Sequence, residues 1–225
     1  MKLSIVMPVL NEAAGIEAAL RRLAPLRARG AEVIIADGGS SDDTAARARP
    51  LADRVLSAPR GRAHQTNAGA SAAHGEVLLF LHADTQLPED ADALVLDGLR
   101  GGRVWGRFDV RIDGGGLLPL IALAMNLRSR MTGIATGDQA MFVTRDAFER
   151  VGGFPPIALM EDVALSARLK RLGRPLCLTA RVTTSGRRWR AQGTLRTMLM
   201  MWRLRLAYFF GADPAKLARQ YGYAE

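Results

Sequence analysis

The chain has 225 residues, 48% of them apolar, with one cysteine and a net charge of +9. That length and apolar fraction suffice for one domain with a sizeable core and exclude a disordered or fibrous chain. Cys177 alone excludes an internal disulfide framework, and no Cys/His cluster has the spacing of a structural zinc site.

The charge is uneven: residues 1–162 carry 18 Lys/Arg against 20 Asp/Glu, and residues 163–225 carry 13 against 2. A basic end of this kind suits an anionic membrane surface, a diphosphate or a nucleic acid, or is simply a solvated face. No nucleic-acid-binding motif accompanies it, so nucleic acid is the weakest of these partners. The N-terminal run K-L-S-I-V-M-P-V is broken by Pro8 and then by Asn11 and Glu12, unlike the apolar region of a signal peptide. The expectation is a cytoplasmic protein, with the inner face of the membrane as a peripheral location.

Taken in order, β-rich runs alternate with alanine-rich helical ones: strand 3–9, helix 13–29, strand 32–36, helix 42–49, strand 54–57, helix 62–73 and strand 76–81. The alternation predicts an α/β fold, a mainly parallel central sheet flanked by helices. I-V-M-P-V and E-V-L-L-F-L have little polar alternation, as strands covered on both faces should. Ligands of such sheets bind beyond the carboxyl ends of the strands, which here means Pro8 to Glu12, Asp37 to Thr44 and His82 to Thr85. After residue 100 the pattern loosens into a strand at 105–112, a Gly-rich turn at 113–116 and an apolar stretch too short to span a bilayer. A strand near 139–144 and a helix near 161–172 follow. No repeat or linker divides the chain, so residues 1–225 form a single domain.

Thr194 to Phe210 reads as a final helix, with Leu195, Met198, Leu199, Trp202, Leu206 and Phe209 on one face. That stripe is expected to pack on the domain. Met200, Met201, Leu204 and Tyr208 leave much of the remaining surface apolar, and Arg196 and Arg203 interrupt it. Something else should cover it, either a second copy of the chain or an anionic membrane.

Several segments carry groups suited to chemistry. A-D-G-G-S-S-D-D-T (36–44) closes a strand and opens a helix. H-A-D (82–84) puts Asp84 past a strand end, where a carboxylate can hold Mg2+ or Mn2+ together with substrate phosphates, and His82 points to the same rim. Arg62 follows a glycine at a helix start, a position that favours phosphate. M-E-D-V (160–163) places Glu161 and Asp162 in a first helical turn, where acids are favoured by the dipole and where one could take a proton from a hydroxyl. Each segment alone is also a common structural feature.

Their order is more specific. S-I-V-M-P-V-L-N-E, V-I-I-A-D-G-G-S-S-D-D-T, G-R-A-H-Q-T-N-A-G-A, L-H-A-D-T, G-D-Q-A-M-F-V, G-G-F-P and M-E-D-V resemble glycosyltransferase family 2, of the GT-A fold, from residue 4 to about 190. The chain looks most similar to small bacterial members associated with radical-SAM and selenium-domain proteins. The resemblance implies an inverting, metal-dependent transfer of sugar from a nucleoside-diphosphate-sugar to an acceptor hydroxyl, the acceptor being unknown and a lipid-linked one a candidate. It implies a nucleotide-binding half (1–100), an acceptor and catalytic half (101–190) and a basic, apolar C-terminal helix (191–225).

By the same resemblance Pro8, Glu12 and Asp37 line the nucleotide site, with Arg62, His82, Arg188 and Trp189 beside the donor. Asp84 would bind Mn2+ or Mg2+, and Asp162 would act as base with Glu161 in support. Two positions depart from the family pattern: His82 stands where the first acid of D-x-D is usual, and Gly38 replaces the second acid of D-D-G-S. Alternatives to the transferase are a nucleotide-sugar-binding protein without activity and a nucleotidyltransferase.

Overall fold

A computed structural model describes residues 1–222. Its first half follows the expected alternation: β1 (Leu3–Val9), α1 (Ile16–Ala28), β2 (Glu32–Asp37), α2 (Thr44–Ala48), β3 (Arg54–Ser57), α3 (Arg62–Ala72) and β4 (Val77–Phe80). Then come β5 (Thr85–Gln86), α4 (Ala91–Arg100), β6 (Trp105–Ile112), α5 (Leu118–Thr132), a single tight turn at Gly137–Gln139, β7 (Phe142–Thr144) and α6 (Arg145–Arg150). The chain continues through α7 (Glu161–Leu169), β8 (Leu176–Thr184), α8 (Arg187–Gln192), α9 (Thr194–Phe209) and α10 (Pro214–Tyr221).

The sheet order is β3-β2-β1-β4-β7-β6-β8-β5. The pairs β3–β2, β2–β1 and β1–β4 are parallel, with Ile5 opposite both Val33 and Leu79. Beyond β4 the sheet becomes mixed: β7 runs antiparallel to β4 and β6, β8 is parallel to β6, and β5 closes the edge antiparallel to β8. The parallel half is therefore as expected from the sequence, and the second half is mixed.

β1 shows why the runs lacked polar alternation. Ile5 and Met7 point to one core layer, with Leu20 and Leu23 of α1 and Val95 of α4, while Val6 points to the other, with Ala63 and Ala70 of α3 and Leu165 of α7. Successive side chains face opposite sides, so a strand covered on both faces must be apolar throughout. α3 lies close against the sheet at Gly69, where an added Cβ would overlap Cγ1 of Val6.

The C-terminal segment forms two helices, α9 and α10, rather than one; residues 223–225 lie outside the described residues. A small cluster of Leu204, Leu217 and Ala218 packs these helices on Leu159 and Met160, immediately before α7. The face of α9 that docks is not the expected one. Thr197 and Leu204 are buried, whereas Leu195, Leu199, Trp202, Leu206 and Phe209 are 58–81% exposed. α9 docks through this face, and most of the expected apolar stripe is left exposed. Among the described residues, no helix is long and apolar enough to cross a membrane.

Candidate active site

A cleft of about 1060 Å3 opens at the carboxyl ends of β1 and β4. Its walls are the start of α3, part of α5, the turn at 136–138, the start of α7, and α8 to α10. It gathers Pro8, Glu12, Arg62, His82, Asp84, Glu161, Asp162, Arg188 and Trp189, so nine of the ten side chains picked out in the sequence meet in one place.

The tenth, Asp37, is not on the cleft wall. It is buried at the end of β2, and its carboxylate accepts from Gly39 N (3.2 Å), Ser40 N (3.1 Å) and Ser40 Oγ (2.5 Å). Asp37 thus fixes the D-G-G-S turn. Asn11 ties that turn to the end of β1 through Ser40 Oγ and Ser41 N, both at 2.9 Å.

At the rim, Arg187 Nη2 lies 3.8 Å from both Glu12 Oε2 and Asp84 Oδ2. Burial raises Glu12 above the ordinary carboxylate value, Arg187 opposes this, and the charge of Asp84 adds to it. Asp84 lines the cleft and is only partly covered, with Thr85 Oγ1 3.5 Å from its Oδ1. Among the described residues no three His, Cys, Asp or Glu converge as a self-sufficient metal site. The donor set nevertheless suits a hard divalent cation that takes one protein carboxylate and completes its shell with phosphate oxygens and water.

Deeper in, the buried Glu161 pairs with Arg62, Nη1 to Oε1 at 3.3 Å. Burial holds Glu161 above its ordinary value, Arg62 pulls it down, and the neighbouring Asp162 pushes it up. His82 Nδ1 lies 3.4 Å from Asp138 Oδ1. Burial pushes Asp138 up, but the hydrogen bond and charge of His82, with Arg62 and Arg188 beyond, hold it below its ordinary value.

Asp162 is placed differently from Glu161. Its Oδ2 accepts from Gly137 N (2.8 Å) and its Oδ1 from Val163 N (2.7 Å), while the side chain remains half-buried on the cleft wall. Two backbone donors from separate elements therefore aim this carboxylate. The residue before the pair, Met160, adopts φ 69°, a left-handed conformation that costs a side-chain-bearing residue about 1–3 kcal/mol. The small cluster under α9 and α10 holds it there, so the C-terminal helices help set the acidic pair. Arg188 donates from Nη2 to Tyr221 O (2.7 Å), its guanidinium lies 3.5 Å from the Tyr221 ring centroid, and Trp189 packs on the main core.

The two departures from the family pattern have local causes. A Cβ at Gly38 would come within 2.8 Å of the Gln65 side chain, whose Nε2 donates to Val9 O (2.7 Å) and Ala36 O (2.9 Å) and so ties the ends of β1 and β2 together. A Cβ at Gly137 would come within 2.5 Å of the His82 ring, so the imidazole occupies space that this glycine leaves free. Gln65, Asp138, Arg187 and Arg128 were not singled out in the sequence. G-R-A-H-Q and G-D-Q held two of them in view; their roles depend on contacts between distant segments.

The sequence profile of the family described as Glycosyl transferase family 2 matches residues 4–151. The chain belongs to glycosyl transferase family 2. This family 2 chain is 40% identical over 108 residues to the succinoglycan biosynthesis protein ExoA of Rhizobium meliloti (strain 1021), a match covering 44% of the chain and 33% of that protein. The chain thus spans about a third of the curated relative's length.

Among solved structures, it resembles a mannosyltransferase from Pyrobaculum calidifontis in complex with GDP-Man and Mn2+ (TM-score 0.68, 22% identity, 91% of this chain and 60% of that one). It also resembles residues 1–349 of S. aureus TarS in complex with UDP-GlcNAc (TM-score 0.66, 17% identity, 82% and 58%). At these identities the likeness shows the fold, which is the expected GT-A arrangement of an α/β sheet flanked by helices.

Proposed function

We propose that this chain transfers a sugar from a nucleoside-diphosphate-sugar to an acceptor hydroxyl with inversion, and that Asp162 is the base. The observation that carries this reading is the unequal placement of the acidic pair. Glu161 is buried and paired with Arg62, whereas Asp162 is aimed into the cleft by two backbone N–H groups. In the reaction, an acceptor hydroxyl oxygen attacks the anomeric carbon and gives its proton to Asp162. The bond from that carbon to the diphosphate oxygen breaks, and the nucleoside diphosphate leaves from the opposite face.

Arg62, at the start of α3, and Arg187 and Arg188, on α8, provide cationic groups for the diphosphate. Pro8 and Glu12 line the nucleotide end of the cleft, and Asp37 acts one step behind it, by holding the turn that Asn11 ties to the end of β1. Asp84 would hold Mn2+ or Mg2+ with the donor's phosphates, and the cation would offset negative charge on the leaving group. The Mn2+ and nucleotide-sugars bound in proteins of the same fold support this assignment.

The acceptor is proposed to be met at a membrane surface. Exposed apolar residues on α9 lie beside exposed Arg196 and Arg203, with Arg190 and Lys216 nearby in sequence. An apolar face among basic residues suits the interface of an anionic membrane, here its cytoplasmic side, and a lipid-linked acceptor.

A panel of UDP-, GDP- and dTDP-sugars with Mn2+, read by protection against thermal unfolding, tests the donor and the metal together. One donor class should protect, and chelation or Asp84→Ala should remove the protection without unfolding the free protein. Equal protection in chelator and in the variant would remove the metal from the account.

A further inference from the structure

The arginines around α5 are not treated alike by the fold. Arg107, wholly buried on β6, donates to Asp109, to Ser129 Oγ (3.1 Å) and to Asn126 O (3.1 Å). Arg130 takes the other oxygen of Asp109 at 2.7 Å and reaches Cys177 O at 3.3 Å. Asp109 is then fully used. Arg128 lies between them in sequence, on the cleft side of α5, and among the described residues its buried Nε and Nη2 have no hydrogen-bond partner.

Burial is the largest influence on Arg128 and lowers its pKa from the ordinary value; Asp162 favours its charge and Arg107 opposes it. A guanidinium stays protonated under such opposition. Buried charges are as a rule paired or hydrogen-bonded, because leaving them bare is costly. Two buried guanidinium nitrogens left unbonded on the wall of a ligand cleft point to a ligand that supplies their acceptor.

Its position indicates which ligand. The groups suited to the donor's diphosphate are Arg62 on α3 and Arg187 and Arg188 on α8, Arg187 lying beside Asp84. Arg128 instead lines the cleft from α5, which packs on β6, and it senses the charge of Asp162. The hydroxyl that loses its proton to Asp162 must lie on that side. We propose that Arg128 forms an oxyanion subsite for the acceptor, so that the acceptor carries a phosphate or carboxylate close to the hydroxyl that receives the sugar. Naming the ligand as acceptor rests on the transfer reading above; binding of an anion at Arg128 does not.

The probes are inorganic phosphate and acetate, read by calorimetry and thermal protection on wild type, R128Q and R128K. Phosphate, acetate or both should bind wild type, and bind R128Q at least about tenfold more weakly, with R128K between. The stronger ion tells a phosphate-bearing acceptor from a carboxylate-bearing one. Affinity for the nucleoside diphosphate should stay within about twofold in R128Q. The proposal is overturned if R128Q binds both ions as wild type does, or if R128Q loses nucleoside diphosphate as strongly as it loses phosphate, which would put Arg128 on the donor. An NMR titration of wild type keeps the test decisive should R128Q fail to fold. The Arg128 Nε–Hε signal, assigned by its loss in R128K, should move with phosphate or acetate, and a signal that stays fixed refutes the subsite.

Discussion

Glu161 and Asp162 are adjacent and chemically almost alike, and from the sequence their roles were exchangeable. Packing separates them. Burial, followed by the charge of Asp162, raises Glu161, while Arg62 opposes the shift. The native state therefore binds this proton more tightly than the unfolded chain, whose ordinary value is 4.5. A raised folded value contributes stability that is fully present below the unfolded value and is lost as pH rises through the folded one. E161Q cannot ionise and escapes that loss. Its thermal midpoint should rise relative to wild type as pH is raised above 4.5. A relative fall over that range would mean that the ion pair with Arg62 outweighs burial.

The same scale shows what the sequence could convey about the site. Nine of ten chosen side chains reach the cleft because strand ends and helix starts fix their places. Asp37 was legible as a strand-end acid, but its bonds to its own turn were not. Arg128 was invisible among the arginines, because only the tertiary pairing of Arg107 and Arg130 with Asp109 reveals that it is left over.

Among the elements, those of the βαβ half were legible because a strand covered on both faces must be apolar and the helix after it alanine-rich enough to lie flat on the sheet. Gly69 is a point of close contact between α3 and the sheet. G69A must push α3 away from Val6, and overpacking of this kind costs about 1–3 kcal/mol. Denaturant unfolding should show the loss in midpoint, and an unchanged midpoint would mean that the α3 and β1 layers give way easily. β8 went unread because L-C-L-T-A-R-V-T-T mixes polar and apolar residues without a clean period, and its place is set by long-range parallel pairing with β6, with the edge β5 on its other side.

The stripe on α9 was read correctly as a face and assigned to the wrong side. Helical spacing shows that residues share a face, but it is silent on whether the domain or something else meets it. On the present account the protein binds vesicles containing anionic lipid at low salt, binding weakens as salt rises, and W202E/L206E loses it with an unchanged thermal midpoint. A wild type that sediments away from such vesicles at low salt would dismiss the membrane surface, and concentration-dependent self-association would favour a second copy of the chain.

At the scale of the whole molecule, the uneven charge noted at the outset is partly spent on the cleft. Arg187, Arg188, Arg205 and Arg219 from the basic end line it, opposite residues from the stretch 1–162, in which acids slightly exceed bases. The C-terminal helices are thus a wall of the site as well as a surface, and through Met160 they brace the acidic pair. On the proposed reading the parallel half presents the nucleotide end, the mixed half carries Asp162 and Arg128, and the reaction takes place where the two meet. The most direct test is to incubate wild type and D162N with the donor that protects best and an acceptor, and to identify the released phosphorus compound by 31P NMR. The account predicts a nucleoside diphosphate from wild type, and a D162N rate lower by about 10²–10⁴-fold with donor affinity intact. Release of pyrophosphate, or an undiminished rate in D162N, would contradict it.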